Sequence, residues 1–292
     1  MERYQTEELI DLVYGETAER ELKLDIIKPI SDTEKFPAII YVHGGGWMSG
    51  DKRKVGGEWN ASLAEHGFVC ININFRLSGE AIFPAPLLDV KQAIRWVKMN
   101  ASNYNIDENK IGIWGHSSGG HLATLAALSA NHPDFITEDH RVSDTVDAVV
   151  TLAGPVDLLL MGDWHNNPKS PESKFLGGSV QTKTIQANKA NPINYINDNT
   201  PPFLIIQGDH DEICPVQQSQ LLHSKLSNSA YLEIKGADHD FIGGVLTMDE
   251  ILGLVRSFFT RNLKTGLISK GELEKHREEV EKVMNWFKEN SK

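Results

Sequence analysis

The stretch IGIWGHSSGGHLA, Ile111 to Ala123, decides the fold. An apolar β-type run meets GHSSG at residues 115–119 and continues directly into a helix-like segment that is apolar nearly all round. This is G-x-S-x-G in the strand–turn–helix context that the motif requires. The turn is so sharp that a Cβ atom at either flanking glycine would collide with its surroundings. The pattern predicts that Ser117 projects its hydroxyl above a strand end, at a helix N-terminus that favours negative charge.

Outward from this stretch, apolar β-rich runs alternate with helix-like segments. The runs are near-continuous in Ile, Val and Leu, which is typical of parallel strands covered on both faces. We therefore predict an α/β fold with a mostly parallel central sheet of about eight strands and helices on both faces. Seven strands are located at 20–27, 38–43, 68–74, 111–116, 146–153, 202–208 and 231–235, and helices at 58–66, 86–101, 118–130, 215–227 and 248–262.

Two stretches depart from the alternation. Residues 156–200 are polar with little strand character, which indicates either a loop and helical insertion near the site or a plain surface excursion. Residues 265–292 carry an apolar stripe at helical spacing, which predicts a C-terminal amphipathic helix that docks on its own domain or forms a dimer contact. No repeat and no second boundary is visible, so we expect one domain spanning 1–292.

Composition excludes several classes of partner. The net charge of -11 argues against nucleic acid, because phosphate binding needs a basic surface. The two cysteines, Cys70 and Cys214, are too few for a disulfide framework. The charged N-terminus lacks a signal-peptide core, and no apolar stretch approaches the roughly 20 residues that span a membrane. We expect a monomer or homodimer with no membrane partner, cytoplasmic as the chain stands or secreted if a leader has been removed.

A serine nucleophile needs a base that is itself oriented by a carboxylate. In this architecture the chain order is serine, acid and histidine, each following a strand. The strand PFLIIQG is followed by two aspartates, Asp209 and Asp211; Asp211 is preferred as the acid, because Asp209 is closer to the strand end and suits a turn. His239 follows the last strand and is the predicted base, ahead of His210 and His223.

The run HGGGW at residues 43–47 follows a predicted strand, where glycines cost backbone entropy and add no packing. Acyl transfer builds an oxyanion, which needs preorganised backbone N–H donors. Gly45 and Gly46 are the predicted donors from this loop, and Ser118, the residue after the nucleophile, is the third. A tight turn that binds no ligand is the alternative.

Aromatic residues near these motifs are candidates for substrate contact. Trp47 lies beside the glycine run and either lines an acyl pocket or packs in the core. Trp164 lies in the polar insertion and is the better candidate to stack on a sugar ring. Metal ligation by 209–211 with 239–240 is the weaker interpretation, since the triad explains their strand-end positions; His116 and His121 are poorly spaced for one metal. We predict no metal and no cofactor.

The motifs HGGGW, GHSSGG, QGDHDEICP and GADHDF together resemble α/β-hydrolase esterases of the hormone-sensitive-lipase type. More narrowly, the chain from about Tyr14 to Lys264 resembles the acetylxylan and feruloyl esterase family. Residue by residue, the resemblance implies Ser117 as nucleophile, Asp211 as acid and His239 as base, with the three oxyanion donors named above. Gln207-Gly208 stands where the family usually has His-Gly, and Cys214-Pro215 where Val-Pro is common.

The resemblance implies a serine carboxylesterase that cleaves short acyl or hydroxycinnamoyl esters on plant polysaccharide fragments. Its substrate would be a small-molecule or oligosaccharide ester. HGGGW also resembles arylformamidases, so cleavage of N-formylkynurenine is the alternative activity. A peptidase of the prolyl-oligopeptidase type is disfavoured because no propeller-sized domain is present. A non-catalytic binding module on the same fold is a further alternative, opposed by the presence of all three triad residues.

Overall fold

The structure is a computed structural model that describes residues 3–264, apart from residue 55 and residues 137–141. Within these residues, the strands are β1 (Thr6–Glu16), β2 (Glu21–Pro29), β3 (Phe36–Val42), β4 (Val69–Ile73), β5 (Ile106–His116), β6 (Ala148–Leu152), β7 (Phe203–Gly208) and β8 (Ser229–Ile234). The α-helices are α1 (Gly57–Ala61), α2 (Ala85–Met99), α3 (Ser118–Leu128), α4 (Pro171–Leu176), α5 (Thr184–Ala190), α6 (Val216–Lys225) and α7 (Met248–Phe259).

The eight described strands form one sheet in the order β1-β2-β4-β3-β5-β6-β7-β8. β1 and β2 pair antiparallel, as do β2 and β4, and every pair from β4 to β8 is parallel. Because β5, β7 and β8 run in the same direction, the loops after them reach one edge of the sheet. The predicted mostly parallel sheet of about eight strands is confirmed.

The first strand, β1, was not predicted from the sequence. β1 is an edge strand whose residues are mostly exposed or half-buried, so it lacks the continuous apolar run of the inner strands. Its register against β2 shifts twice, between Leu9 and Leu12 and between Val13 and Gly15. Asp11 within the first shift has a φ of 58°. These bulges break the period-two alternation that identifies a half-buried strand in a sequence.

The core lies on both faces of the sheet. α2, α3 and α6 bury side chains against one face, for example Leu87, Leu122 and Leu222. α7 covers the other face with Val255 and Phe259. This two-sided burial explains the near-continuous apolar character of the inner strands and confirms the predicted helices on both faces. None of the helices in the described part of the chain has the length and apolar character needed to cross a membrane.

The segment 156–200 after β6 is built of short helices. In the described residues it holds α4, α5 and three 3₁₀ segments, and it contains no strand. Its start is fixed by the buried Gln218 of α6, whose Oε1 accepts the N–H groups of Val156 and Asp157 at 2.8 Å each. The amphipathic helix predicted for 265–292 lies outside the described residues.

His121 of α3 joins this segment to the loop after β3. Its Nε2–H donates to the carbonyl of Ala190 at 2.8 Å, and its Nδ1 accepts from Trp47 Nε1–H at 3.2 Å. The neutral ring is therefore fully paired, and a second proton on Nδ1 would face another N–H. Burial lowers the pKa of His121 to about 4.

Acidification is therefore expected to destabilise the fold between pH 6.5 and about 4. An unfolded histidine takes up its proton near pH 6.5, whereas buried His121 stays neutral until about pH 4. The unfolded state binds more protons in this window, so the free energy of unfolding falls by at most about 1.4 kcal/mol per pH unit for this residue. Urea unfolding at pH 7, 6 and 5 measures the slope.

The control for this prediction is His121→Gln, whose amide keeps a donor toward Ala190 and cannot titrate. Its free energy of unfolding should fall less steeply with decreasing pH than that of the wild type. His116 carries a similarly lowered pKa, so some dependence should remain in the variant. Equal slopes for both proteins would show that His121 does not stay neutral in the fold.

Candidate active site

Ser117 lies in a strained turn between two elements. β5 ends at His116 and α3 begins at Ser118, and the backbone of Ser117 between them has φ 56° and ψ -125°. A residue with a Cβ atom rarely adopts such a conformation, and strain of this kind is often found at functional sites. The sharp turn places the serine side chain at the sheet edge where the parallel strands end.

The flanking glycines allow this turn because the backbone packs closely around them. An ideal Cβ on Gly115 would lie 2.5 Å from the carbonyl carbon of Gly119. An ideal Cβ on Gly119 would lie 2.0 Å from the carbonyl oxygen of Val42. Real Cβ atoms do not approach other atoms this closely, so the glycines of the G-x-S-x-G motif are required by steric fit.

Replacing Gly119 with alanine is expected to lower the free energy of unfolding by about 3 kcal/mol, because β3 or α3 must shift to admit the methyl group. Gly253→Ala is the matched control, since its Cβ would meet nothing within 4 Å on α7. That change should stabilise the protein by about 0.5–1 kcal/mol, the helix propensity of alanine over glycine. Denaturant unfolding of both variants checks this, and equal effects would refute the packing argument.

The three residues predicted as nucleophile, base and acid lie together. His239 Nε2 is 2.8 Å from Ser117 Oγ, and His239 Nδ1 is 2.7 Å from Asp211 Oδ2. A carboxylate only accepts hydrogen bonds, so Nδ1 carries the proton and Nε2 is left to accept from the serine hydroxyl. Chemically, this arrangement can support attack by a serine assisted by a general base.

Asp211 is held in its ionised form by four donors. Oδ1 accepts the N–H groups of Ile213 and Cys214, both at 2.8 Å, and Oδ2 accepts Gln207 Nε2 at 2.7 Å as well as His239. Burial raises the pKa of Asp211, but its hydrogen bond to His239, the charge of that ring and the two amides outweigh burial. The pKa of Asp211 therefore lies below its usual range, and the carboxylate can stabilise a positively charged His239.

Gln207 is a site residue that the sequence analysis noted only as a departure from a family pattern. It is fully buried, and its Oε1 accepts from Ser219 Oγ at 2.8 Å. Its Nε2 also donates to the carbonyl of Cys214 at 3.3 Å. A carbonyl oxygen only accepts, so this bond fixes the amide with Nε2 toward Asp211. Its position four residues before the acid, near the end of β7, is the signal that could have identified it.

The glycine run after β3 lies against the nucleophile. An ideal Cβ on Gly44 would lie 3.4 Å from the Cβ of Ser117. Gly45 and Gly46 have φ values of 118° and 61°, which residues with side chains rarely adopt. Ser118, the third predicted donor, is the first residue of α3, where backbone N–H groups have no partner within the helix.

The carbonyl groups of this loop show which way its N–H groups point. The carbonyl of Gly44 accepts from His43 Nδ1 at 2.8 Å, and that of Gly45 accepts the amides of residues 48–49 at 3.1 Å each. In a trans peptide the C=O and N–H point in opposite directions, so the N–H groups of Gly45 and Gly46 turn away from these partners. Among the described residues no hydrogen bond occupies either group, so both can serve a ligand.

The two candidate tryptophans have different environments. Trp47 is only 2% exposed and stacks on Phe175, with ring centroids 4.8 Å apart. It supports the glycine loop from within the core, which matches the packing alternative. Trp164 is 64% exposed and contacts His165 edge-to-face at 4.7 Å. Its role in binding a substrate stays a prediction.

The other acids and histidines considered from the sequence have different partners. Asp209 accepts the N–H of Gly236 at 2.6 Å and pairs with Lys235 at 3.0 Å, so it shapes the turn after β7. His210 is mostly exposed and His223 lies on α6 away from the triad. In the residues that the structure describes, no group of three or more His, Cys, Asp or Glu side chains could hold a metal ion.

Comparison with known families agrees with this geometry. The family model described as BD-FAE matches residues 24–226, which is more than half of the chain. The chain belongs to the BD-FAE family. Within the match lie the strained turn at Ser117 and the acid Asp211, while His239 follows it. Together with the sheet order, the relatives identify the fold of this BD-FAE member as the α/β-hydrolase fold.

Curated relatives of this BD-FAE member include esterases. Esterase LipC of Mycobacterium tuberculosis is 36% identical over 223 residues, which cover 72% of this chain and 54% of LipC. The probable carboxylic ester hydrolase LipM of the same organism is 32% identical over 259 residues, covering 86% of this chain and 58% of LipM. The chain thus spans little more than half the length of these relatives.

Solved structures of similar fold include carbohydrate esterases. A truncated carbohydrate esterase from gut microbiota has a TM-score of 0.78 and 30% identity, covering 89% of this chain and 96% of that one. A bifunctional GH43-CE protein of Bacteroides eggerthii has a TM-score of 0.79 and 31% identity. That match covers 88% of this chain and 35% of the longer protein.

Proposed function

We propose that this chain is a serine carboxylesterase that uses Ser117, His239 and Asp211 without a cofactor. The observation that carries the proposal is a pair of hydrogen bonds on His239. Its Nε2 is 2.8 Å from Ser117 Oγ, and its Nδ1 is 2.7 Å from Asp211 Oδ2. Beside these three residues, the N–H groups of Gly45 and Gly46 make no hydrogen bond within the described residues. Esterase relatives support the same reaction class.

In the acylation step, Ser117 Oγ attacks the carbonyl carbon of the ester and its proton passes to His239 Nε2. The negative oxygen of the tetrahedral intermediate accepts hydrogen bonds from the N–H groups of Gly45, Gly46 and Ser118. The intermediate collapses when the carbon–oxygen bond to the alcohol breaks, and the proton on His239 Nε2 goes to that leaving oxygen. An acyl ester on Ser117 and a free alcohol result.

In the deacylation step, water takes the place of the alcohol. His239 Nε2 accepts a proton from the water while the water oxygen attacks the acyl carbon. The same N–H donors bind the second oxyanion. Collapse releases the carboxylic acid and returns the proton to Ser117. Asp211 remains ionised throughout and stabilises His239 whenever the ring carries a positive charge.

The proposed substrates are short acyl or hydroxycinnamoyl esters on plant polysaccharide fragments. Two observations support a carbohydrate ester. Two similar solved structures carry carbohydrate-esterase or GH43-CE descriptions. The exposed Trp164 lies in the segment 156–200, and its aromatic face can pack on a sugar ring.

Hydrolysis of methyl ferulate and acetylated xylan, each normalised to p-nitrophenyl acetate, tests the substrate class with Ser117→Ala as the blank. Activity on either natural ester that disappears in the variant would support the proposal. Cleavage of p-nitrophenyl acetate alone would support the esterase activity and reject the proposed polysaccharide substrates. N-formylkynurenine is assayed in parallel, and a preference for it would identify an amide hydrolase instead.

Covalent labelling by a fluorophosphonate separates an enzyme from a binding module on the same fold. An activated Ser117 should form an adduct at neutral pH that mass spectrometry places on the peptide containing residues 111–123. Wild-type protein that is folded but forms no adduct would reject the serine-hydrolase proposal itself.

A further inference from the structure

His116 is buried at the centre of the site, although the mechanism above does not use it. It is 2% exposed and directly precedes the nucleophile in the chain. Its ring packs against the catalytic base, with the centroids of His116 and His239 4.9 Å apart. Trp59 and Phe241 surround the pair, at ring-centroid distances of 6.2 and 6.1 Å from His116. A polar ring in such a setting needs a polar partner.

That partner is the backbone of the base. His116 Nε2 is 2.8 Å from the carbonyl oxygen of His239. A carbonyl oxygen only accepts, so Nε2 carries the proton of the neutral ring and donates it. In the described part of the chain, no other hydrogen bond is made to this carbonyl. The contact joins residues 123 positions apart, from the turn at Ser117 to the loop of residues 235–247 that carries His239, here called the base loop.

We propose that His116 is a positioning residue for the esterase reaction. Its Nε2–H holds the backbone of His239 and thereby sets the distance from His239 Nε2 to Ser117 Oγ. This inference rests on the proposed serine esterase function, because it assigns a role in the same triad. It gives the second residue of the GHSSG motif a purpose distinct from the turn geometry of the glycines.

The base loop needs such a restraint because its other backbone–backbone hydrogen bonds are local, with one exception. The N–H of His210 donates to the carbonyl of Ala237 at 3.0 Å and joins the loop to the residues after β7. Asp238 Oδ1 accepts the N–H groups of Asp240 and Ile242, at 3.0 and 2.8 Å. Phe241 takes a φ of 64°, which a non-glycine residue seldom adopts. These contacts shape the loop but do not attach residue 239 to the strand that carries the nucleophile. The bond from His116 does, so it fixes where the imidazole is placed.

The imidazole of His116 stays neutral while it holds this position, so it does not take up the proton that the mechanism assigns to His239. Burial, and then the charge of His239, lowers the pKa of His116 to about 4. The ring of His116 is therefore neutral at pH 7, and the mechanism above places the positive charge on His239. The carboxylate of Asp240 is 3.9 Å from His116 Nε2 but is largely exposed to solvent, which weakens its influence.

The ring of His116 also lies close to the glycine run at residues 44–46. Among the described residues its buried Nδ1 has no hydrogen-bond partner, and an ideal Cβ on Gly44 would lie 3.4 Å from it. The same Cβ would lie 3.0 Å from the His116 carbonyl oxygen. His116 therefore donates to the base loop through Nε2, while its other ring nitrogen lies beside the start of the glycine run.

Two amide variants test the proposal by the reach of their side chains. The Nε2 of Gln lies as many bonds from the backbone as that of histidine, whereas the amide of Asn is one bond shorter. His116→Asn should lower kcat by roughly 10- to 100-fold with KM changed less than about twofold, because a displaced base impairs chemistry more than binding. His116→Gln should recover most of that loss.

The outcomes separate this inference from the proposed function. Asn and Gln variants with equal kcat, whether at the wild-type level or equally reduced, would overturn the positioning role. Absence of wild-type esterase activity would instead reject the proposed function. If the Asn variant fails to fold, nitrogen-15 NMR of the wild-type histidines decides. The proposal requires the Nε2–H tautomer at His116, and observation of the Nδ1–H tautomer would overturn it.

Discussion

The variant Ser117→Ala is expected to lower kcat on p-nitrophenyl acetate by roughly 10⁵- to 10⁶-fold, as removal of a triad nucleophile does in serine hydrolases. The hydroxyl makes a hydrogen bond to His239, and alanine keeps the same strained backbone without a nucleophile. The glycine run at residues 44–46 and the base His239 remain in place. Any residual rate should therefore come from water attack assisted by those groups.

The fold should survive this change, which makes the loss interpretable. Ser117→Ala removes one oxygen and introduces no atom that must be accommodated, so its urea midpoint should match the wild type. Ser224→Ala on α6 is the control; that hydroxyl is exposed and donates to the carbonyl of Leu221. The control should retain wild-type kcat. A Ser117→Ala variant that keeps a tenth of wild-type activity would show that another residue is the nucleophile.

Sequence alone predicted the parts of the site that local backbone chemistry determines. The glycines around Ser117 permit the sharp turn, and Gly45 and Gly46 adopt positive φ, so short motifs indicate them. The strand ends that carry Asp211 and His239 follow from the alternation of apolar runs. The atoms that exclude a Cβ at Gly119 come from β3, which the motif alone does not show.

Contacts that form only through the tertiary structure could not be predicted from the sequence. His116 is hydrogen-bonded to the backbone carbonyl of His239, and the residues next to it in the sequence do not predict that bond. Gln207 acts through an orientation imposed by the carbonyl of Cys214, seven residues later. β1 was missed for a different reason, since its bulges remove the alternation on which strand prediction depends.

Replacing Asp211 with asparagine is expected to lower kcat by roughly 10⁴-fold, the loss that follows when the triad histidine adopts the wrong tautomer. Oδ2 accepts from both Gln207 and His239, and the Gln207 amide is held in this orientation by the carbonyl of Cys214, which can only accept. An NH₂ group placed there would face two donors. His239 can accept from this NH₂ group only if its proton moves from Nδ1 to Nε2. Nε2 then faces Ser117 as a donor and cannot act as a base.

Rotating the introduced amide by 180° does not remove the conflict between donors. Its NH₂ group would then face the backbone N–H groups of Ile213 and Cys214, which cannot change their role. Asp209→Asn is the matched control, because its oxygen can still accept from Gly236 and only an exposed ion pair is lost, so kcat should stay within about twofold. Single-turnover acylation rates of both variants test this. If Asp209→Asn showed the larger loss, the acid would have to be reassigned, since only a carboxylate bonded to His239 can impose the tautomer.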